Sequence, residues 1–128
     1  MHELDPIIDQ KMIQELLTLS EPGNEFFDEI LLMYDQKSIE LMGLIEKSIE
    51  TFKSGQLDDS LLSNSHRFKG VNYNVGAIRL AGWCSRMEQA CRSQEWNAIV
   101  PIWKDLSMCH QETKLMLKEI HQRVMSGN

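Results

Sequence analysis

The run Ser65-His66-Arg67-Phe68-Lys69-Gly70 places a lysine three residues and a glycine four residues after a histidine. Positions three and four apart are neighbours on a helix surface, so imidazole, ammonium and bare backbone would form one platform. Leu62 and Tyr73, at i−4 and i+7, would add two apolar groups to it. The imidazole of a solvated histidine titrates around pH 6.5 and is largely neutral at cytosolic pH. A neutral imidazole nitrogen is a competent nucleophile toward an activated phosphoryl group, and an ammonium at Lys69 would lie beside the oxygens once that group arrived. Glycine weakens a helix interior by roughly 1 kcal/mol relative to alanine. Gly70 therefore suggests that something needs close access to the backbone beside His66. Each residue also has a plainer reading: a surface histidine, a solvated lysine, a glycine kept for packing, and two incidental exposed apolar groups.

Other chemistries find little support. No paired carboxylates, Ser/His/Asp arrangement, phosphate loop or metal-ligand spacing is evident. His110 falls on the apolar seam of the last helix and is expected to be a core residue with a hydrogen-bond partner, while His2 and His121 read as surface residues. Cys84 and Cys91 would stand roughly 10 Å apart on one helix, too far to bridge. Cys109 leaves an odd thiol in any pairing, so reduced and mostly buried cysteines are expected. Trp83, Trp96 and Trp103 read as packing, as do most of the eight methionines.

The elements that must position the platform are helical. Asp5-Pro6 reads as an N-cap followed by proline at the first helical position, opening a short helix with Ile7, Ile8, Met12, Ile13, Leu16 and Leu17. That is more apolar surface than one stripe requires, which would leave part for a partner. After the turn cluster Ser20–Asn24, a long helix spans about Glu25 to Lys53, with Phe27, Leu31, Tyr34, Leu41, Ile45 and Phe52 on its inner side. Lys53-Ser54-Gly55-Gln56 breaks it. The next helix spans about Leu57 to Tyr73. At about 100° per residue, Leu57, Leu61, Ser65, Phe68 and Asn72 face the core and His66 lies well off that side. A turn at Asn74-Val75-Gly76 leads to a helix with Leu80, Cys84, Met87 and Cys91 inward. The last begins near Glu95 and shows Ile99, Trp103, Leu106, Thr113, Leu117, Ile120 and Val124, the alternating spacing of bundle packing. Nothing reads as a strand. The expected fold is all-α, an antiparallel four-helix bundle with an additional short N-terminal helix.

A chain of 128 residues fits one domain. Net charge of −6 argues against nucleic acid or an anionic membrane as partner. The charge is divided unevenly: residues 1–64 hold 4 basic and 14 acidic side chains, and residues 65–128 hold 9 and 5. Arg67, Lys69, Arg79 and Arg86 follow His66 and would suit an anionic group or an acidic partner pocket. No apolar run approaches the length of a membrane span. The opening MHELDP lacks the features of a signal peptide, so a cytoplasmic protein is expected. The initial methionine and polar ending suggest a complete chain.

The stretch from Ser65 to Ala77 resembles the signature of the histidine phosphotransfer (HPt) domain family. That signature has a phosphorylatable histidine, a hydrophobic residue two positions later, Lys-Gly, and a glycine-containing turn into the next helix. Leu80, Cys84, Glu88 and Ala90 match the family's following helix, and the Gly23–Tyr34 region resembles its second. The resemblance implies a single HPt domain over residues 1–128, a phosphoryl carrier rather than a turnover enzyme, working in a two-component phosphorelay. His66 would take the phosphoryl group from one receiver aspartate and return it to another. Lys69 would help hold it, Gly70 would leave room for the receiver, and Gly76 would serve a tight turn or close helix packing. Partners would be receiver domains of response regulators and a sensor histidine kinase, hybrid or not, meeting a monomer at Leu62, Arg67, Tyr73, Ile13 and Leu17. The chain would bind no cofactor or metal of its own, with Mg²⁺ brought by the receiver. The sequence departs from the family at Val71, Asn72 and Tyr73, where small residues are usual. Asn72 would need a buried hydrogen-bond partner, and Tyr73 would narrow the choice of receiver. The competing reading is a non-catalytic helical bundle that binds and inhibits a kinase or receiver.

Overall fold

Long amphipathic segments and the breakers between them decide the architecture. The computed structural model describes residues 5–53 and 59–127. Its helices are α1 (Gln10–Ser20), α2 (Glu25–Lys53), α3 (Ser60–Tyr73), α4 (Ile78–Arg92) and α5 (Ile99–Met125), with a short 3-10 turn at Trp96–Ala98. No strand occurs among the described residues. The proposed break at Ser54-Gly55-Gln56 and the inward Leu57 lie outside them, as does His2.

Helix α2 begins directly after the Pro22-Gly23-Asn24 breaker and runs 29 residues. Glu25 and Asp28 in its first turn and Lys53 in its last complement the helix dipole. Pro101 is tolerated near the start of α5 because the first-turn amides have no intrahelical acceptor to lose.

Cross-helix contacts fix the directions. Tyr34 near the start of α2 reaches Asn72 at the end of α3, and Ser48 near the end of α2 reaches Ser60 at the start of α3. His66 and Asn72 of α3 meet Glu88 and Cys84 of α4 in reverse order. Asp28 and Ser38 of α2 meet His121 and His110 of α5. Each neighbouring pair is antiparallel, and α2 against α5 closes the ring: this is the expected four-helix bundle. Phe27, Leu41, Ile45, Phe68, Leu80, Met87, Ile99 and Leu106 fill its centre, each apolar side chain contributing about 1.5–3 kcal/mol by burial.

The start of α1 differs from the sequence expectation. Asp5-Pro6 does not open the helix; the N-cap is Asp9, whose side chain accepts from the Lys11 amide. Two tertiary contacts hold the preceding residues outside the helix. The Asp9 amide donates to the Gly76 carbonyl at 2.8 Å, and the Arg79 guanidinium donates to the Asp5 carbonyl at 2.7 Å. With Ile8 buried as well, the leader is drawn along the α3–α4 corner.

Gly76 makes that corner possible. Its φ of +73° belongs to the left-handed region that glycine enters freely, and a Cβ there would stand 2.9 Å from Cβ of Met12. Both expectations for Gly76, the tight turn and the close approach, match this geometry.

Candidate phosphoryl-accepting site

Phe68 and Ser65 are sealed in the core, which turns the intervening face of α3 outward toward the α4 side. His66 projects from that face with 65% of its side-chain surface open to solvent. Its Nδ1 lies 3.2 Å from Oε1 of Glu88 on α4. The Lys69 ammonium lies 3.0 Å from the same oxygen, and the Arg92 guanidinium 3.1 Å from Oε2. Glu88 is therefore the hub of the site, with only 2% of its side chain exposed.

Burial and neighbouring positive charge oppose one another at this carboxyl. Burial alone would raise the Glu88 carboxyl, but the hydrogen bond and charge of Lys69, joined by those of His66, outweigh it and hold the group below its usual range. An ionised carboxylate only accepts. The proton between it and His66 therefore sits on Nδ1, leaving the Nε2 lone pair as the nucleophilic nitrogen.

Gly70 is exposed, and a Cβ built there would meet nothing within 4 Å. Packing within the chain gives no reason for a glycine at this position. Tyr73 and Arg67 are exposed and Leu62 is half-buried on the same helix, so these three sequence candidates surround His66. The candidates on α1 fare differently. Ile13 is 2% exposed and belongs to the core, so it offers no surface for docking. Leu17 is half-buried and packs against the same core. The exposed apolar residue of this helix is Leu19.

Two of the four cations that follow His66 turn elsewhere. Arg79 serves the Asp5 carbonyl and Arg86 pairs with Glu95 at 3.0 Å. Arg67, Lys69 and Arg92 remain near the histidine. Asn72 obtains the buried partner it needs: Tyr34 Oη donates to its Oδ1 at 2.6 Å, and its Nδ2 faces Sγ of Cys84 at 3.6 Å. His110 is the expected core histidine, 3.1 Å from Oγ of Ser38. The cysteines are all free thiols.

Sequence reasoning assigned no role to Glu88 or Arg92. The usable signal was register: Ala77, at the α3–α4 corner, stands midway between His66 and Glu88 in the chain, so an antiparallel pair folded there sets them opposite one another.

The Hpt domain family model matches residues 29–123, which include α3, α4 and most of α2 and α5. The chain belongs to the Hpt family. Histidine-containing phosphotransfer protein 4 of Arabidopsis thaliana is 24% identical over 115 residues, covering 88% of this chain and 87% of that protein. The histidine-containing phosphotransfer protein HptB of Pseudomonas aeruginosa PAO1 superposes with a TM-score of 0.77 at 22% identity, covering 92% of this chain and 96% of that one. A putative histidine-containing phosphotransfer protein from rice gives the same TM-score at 18% identity, covering 95% and 86%. Both solved structures share the fold. As an Hpt protein, the chain has a phosphotransfer role in two-component phosphorelay signalling.

Proposed function

We propose that His66 is the phosphoryl-carrying residue, passing the group between receiver-domain aspartates. One observation carries this reading: an exposed imidazole is held at Nδ1 by a buried carboxylate, with Lys69 at its side and open backbone at Gly70. In the forward step Nε2 attacks the phosphorus of an aspartyl phosphate. The N–P bond forms, the O–P bond to the aspartate breaks, and the aspartate leaves as a carboxylate. The ring becomes a phosphoimidazolium that keeps its Nδ1 proton against Glu88, which offsets the new positive charge. Reversal delivers the group to another aspartate.

Lys69 is the cation for the phosphoryl oxygens, and Gly70 admits the receiver's backbone. Leu62, Arg67 and Tyr73 form the docking rim. The protein acts as a monomeric single-domain carrier in the cytoplasm, between a sensor kinase and response regulators, and Mg²⁺ comes with the receiver. No helix among the described residues is long and apolar enough to cross a membrane.

The test is phosphotransfer from a labelled receiver. Wild-type protein should gain an alkali-stable, acid-labile label that His66→Gln does not. A His66→Gln protein that binds receiver and keeps full biological activity would instead favour the inhibitory-bundle reading.

A further inference from the structure

We propose that the face between α2 and α5 is a docking groove for a short amphipathic helix of another protein. In the ring of helices this face lies opposite the α3–α4 face that bears His66. The groove has a volume of about 640 Å³. Its floor is apolar, made by Leu31, Tyr34 and Leu117, and Leu32 and Leu115 form its two lips. Both lip residues are more than half exposed. His121, 2.8 Å from Asp28 and stacked on Phe27, stands at the end nearer the start of α2.

The size of the apolar surface selects the occupant. Ile39 follows Leu32 by seven residues and Met108 precedes Leu115 by seven, and these two are also more than half exposed. A heptad returns a side chain to the same helix face, so two apolar rungs run along the groove. One heptad further the stripe ends, at Glu25 and Glu46 on α2 and at Gln122 and the first-turn Pro101 on α5. Seven residues span roughly 10 Å of helix. Four side chains over that length fall well short of the roughly 800 Å² that each partner gives to a stable protein–protein interface, which disfavours a second copy of the chain. A short helix laying its apolar face into a groove needs only such a pair of rungs.

Charge then specifies the helix. Asp28 and Asp35 line the α2 side of the groove, and Lys114 and Lys118 line the α5 side. Asp35 and Lys114 face one another at 4.0 Å with both side chains open to solvent, so their mutual attraction is weak and each can turn to a newcomer. The complementary helix carries two apolar anchors seven residues apart, basic residues along the edge beside α2 and acidic residues along the edge beside α5. That pattern also sets its direction, because turning a helix end for end exchanges its edges. A helix seated there leaves the α3–α4 face open, so the protein can be held by one partner while another reaches His66.

The probe is a stapled helical peptide of about 14 residues, roughly four turns, with leucines seven apart, lysines along one edge and glutamates along the other. Titrated into the full chain and followed by amide NMR, it should shift Leu32, Asp35, Ile39, Met108 and Leu115 and leave His66 and Gly70 unmoved. Leu32→Ser combined with Leu115→Ser should weaken binding by roughly tenfold or more. Leu19→Ser, at an exposed leucine of α1, should leave it unchanged. Exchanging the lysines and glutamates of the peptide should keep the affinity and reverse its direction, read as line broadening from a spin label at one end. Glutamates on both edges should weaken binding about threefold at low salt. Absence of binding, shifts centred on His66, indifference to the Leu32 and Leu115 changes, or one orientation for both charge patterns would each overturn the proposal. Self-association of the chain alone that Leu32→Ser abolishes would also overturn it, since the occupant would then be a second copy.

Discussion

Around His66, roles divide according to what each residue touches. Nδ1 is committed to Glu88, so the ring is oriented from beneath while its other nitrogen faces outward. A Cβ at Gly70 would meet nothing within 4 Å. Gly43, in the exposed part of α2, has equally open surroundings and is the natural control. Gly70→Ala and Gly43→Ala should each stabilise the fold by roughly 0.5–1 kcal/mol in denaturant unfolding, because alanine is the better helix former. Only Gly70→Ala should slow transfer from a receiver. Equal transfer rates in the two variants would remove the access role. The His66, Lys69 and Gly70 platform was legible because i+3 and i+4 neighbours are printed in the chain. Glu88 and Arg92 were not, since their relation to His66 crosses a corner and depends on how two helices are aligned.

Between elements, the α2–α5 contact contains a titratable group that function does not use. Burial, and to a lesser extent the charge of Lys114, push the His110 imidazole down from 6.5 to about 4, with Asp35 opposing weakly. A base whose folded pKa is depressed binds fewer protons folded than unfolded. Stability from this group is thus complete above pH 6.5 and is lost progressively as pH falls toward 4. The loss should be on the order of 3 kcal/mol at the lower end. His110→Gln removes the titration, and denaturant unfolding should show its deficit relative to wild type shrinking across that window. A constant gap would contradict the assignment. Element boundaries were readable where breakers are strong, as at the start of α2. The start of α1 was not, because Asp5-Pro6 and Asp9 both offer a cap. The choice falls to Asp9 through contacts with residues some seventy positions away.

Across the molecule, alternating helix directions put the N-terminal leader, the α3–α4 corner and the start of α2 at one end of the bundle. The fold class followed from four long amphipathic segments with short connections, which leave few alternatives to an antiparallel ring. What the chain could not show was how the leader joins that ring. The Asp9 amide precedes the first helical residue, yet its acceptor is the carbonyl of a glycine on the far side of α3. Terminal segments ordinarily fray, but this amide should exchange with deuterium at the pace of the corner to which it is latched. Gly76→Ala, which cannot hold the left-handed turn without pushing Met12 aside, should accelerate exchange at Asp9 and Ala77 together. Independent rates at the two positions would show the latch to be loose. A joint response would make the opening residues a reporter, readable at a distance, of whether the hairpin bearing His66 and Glu88 is in register.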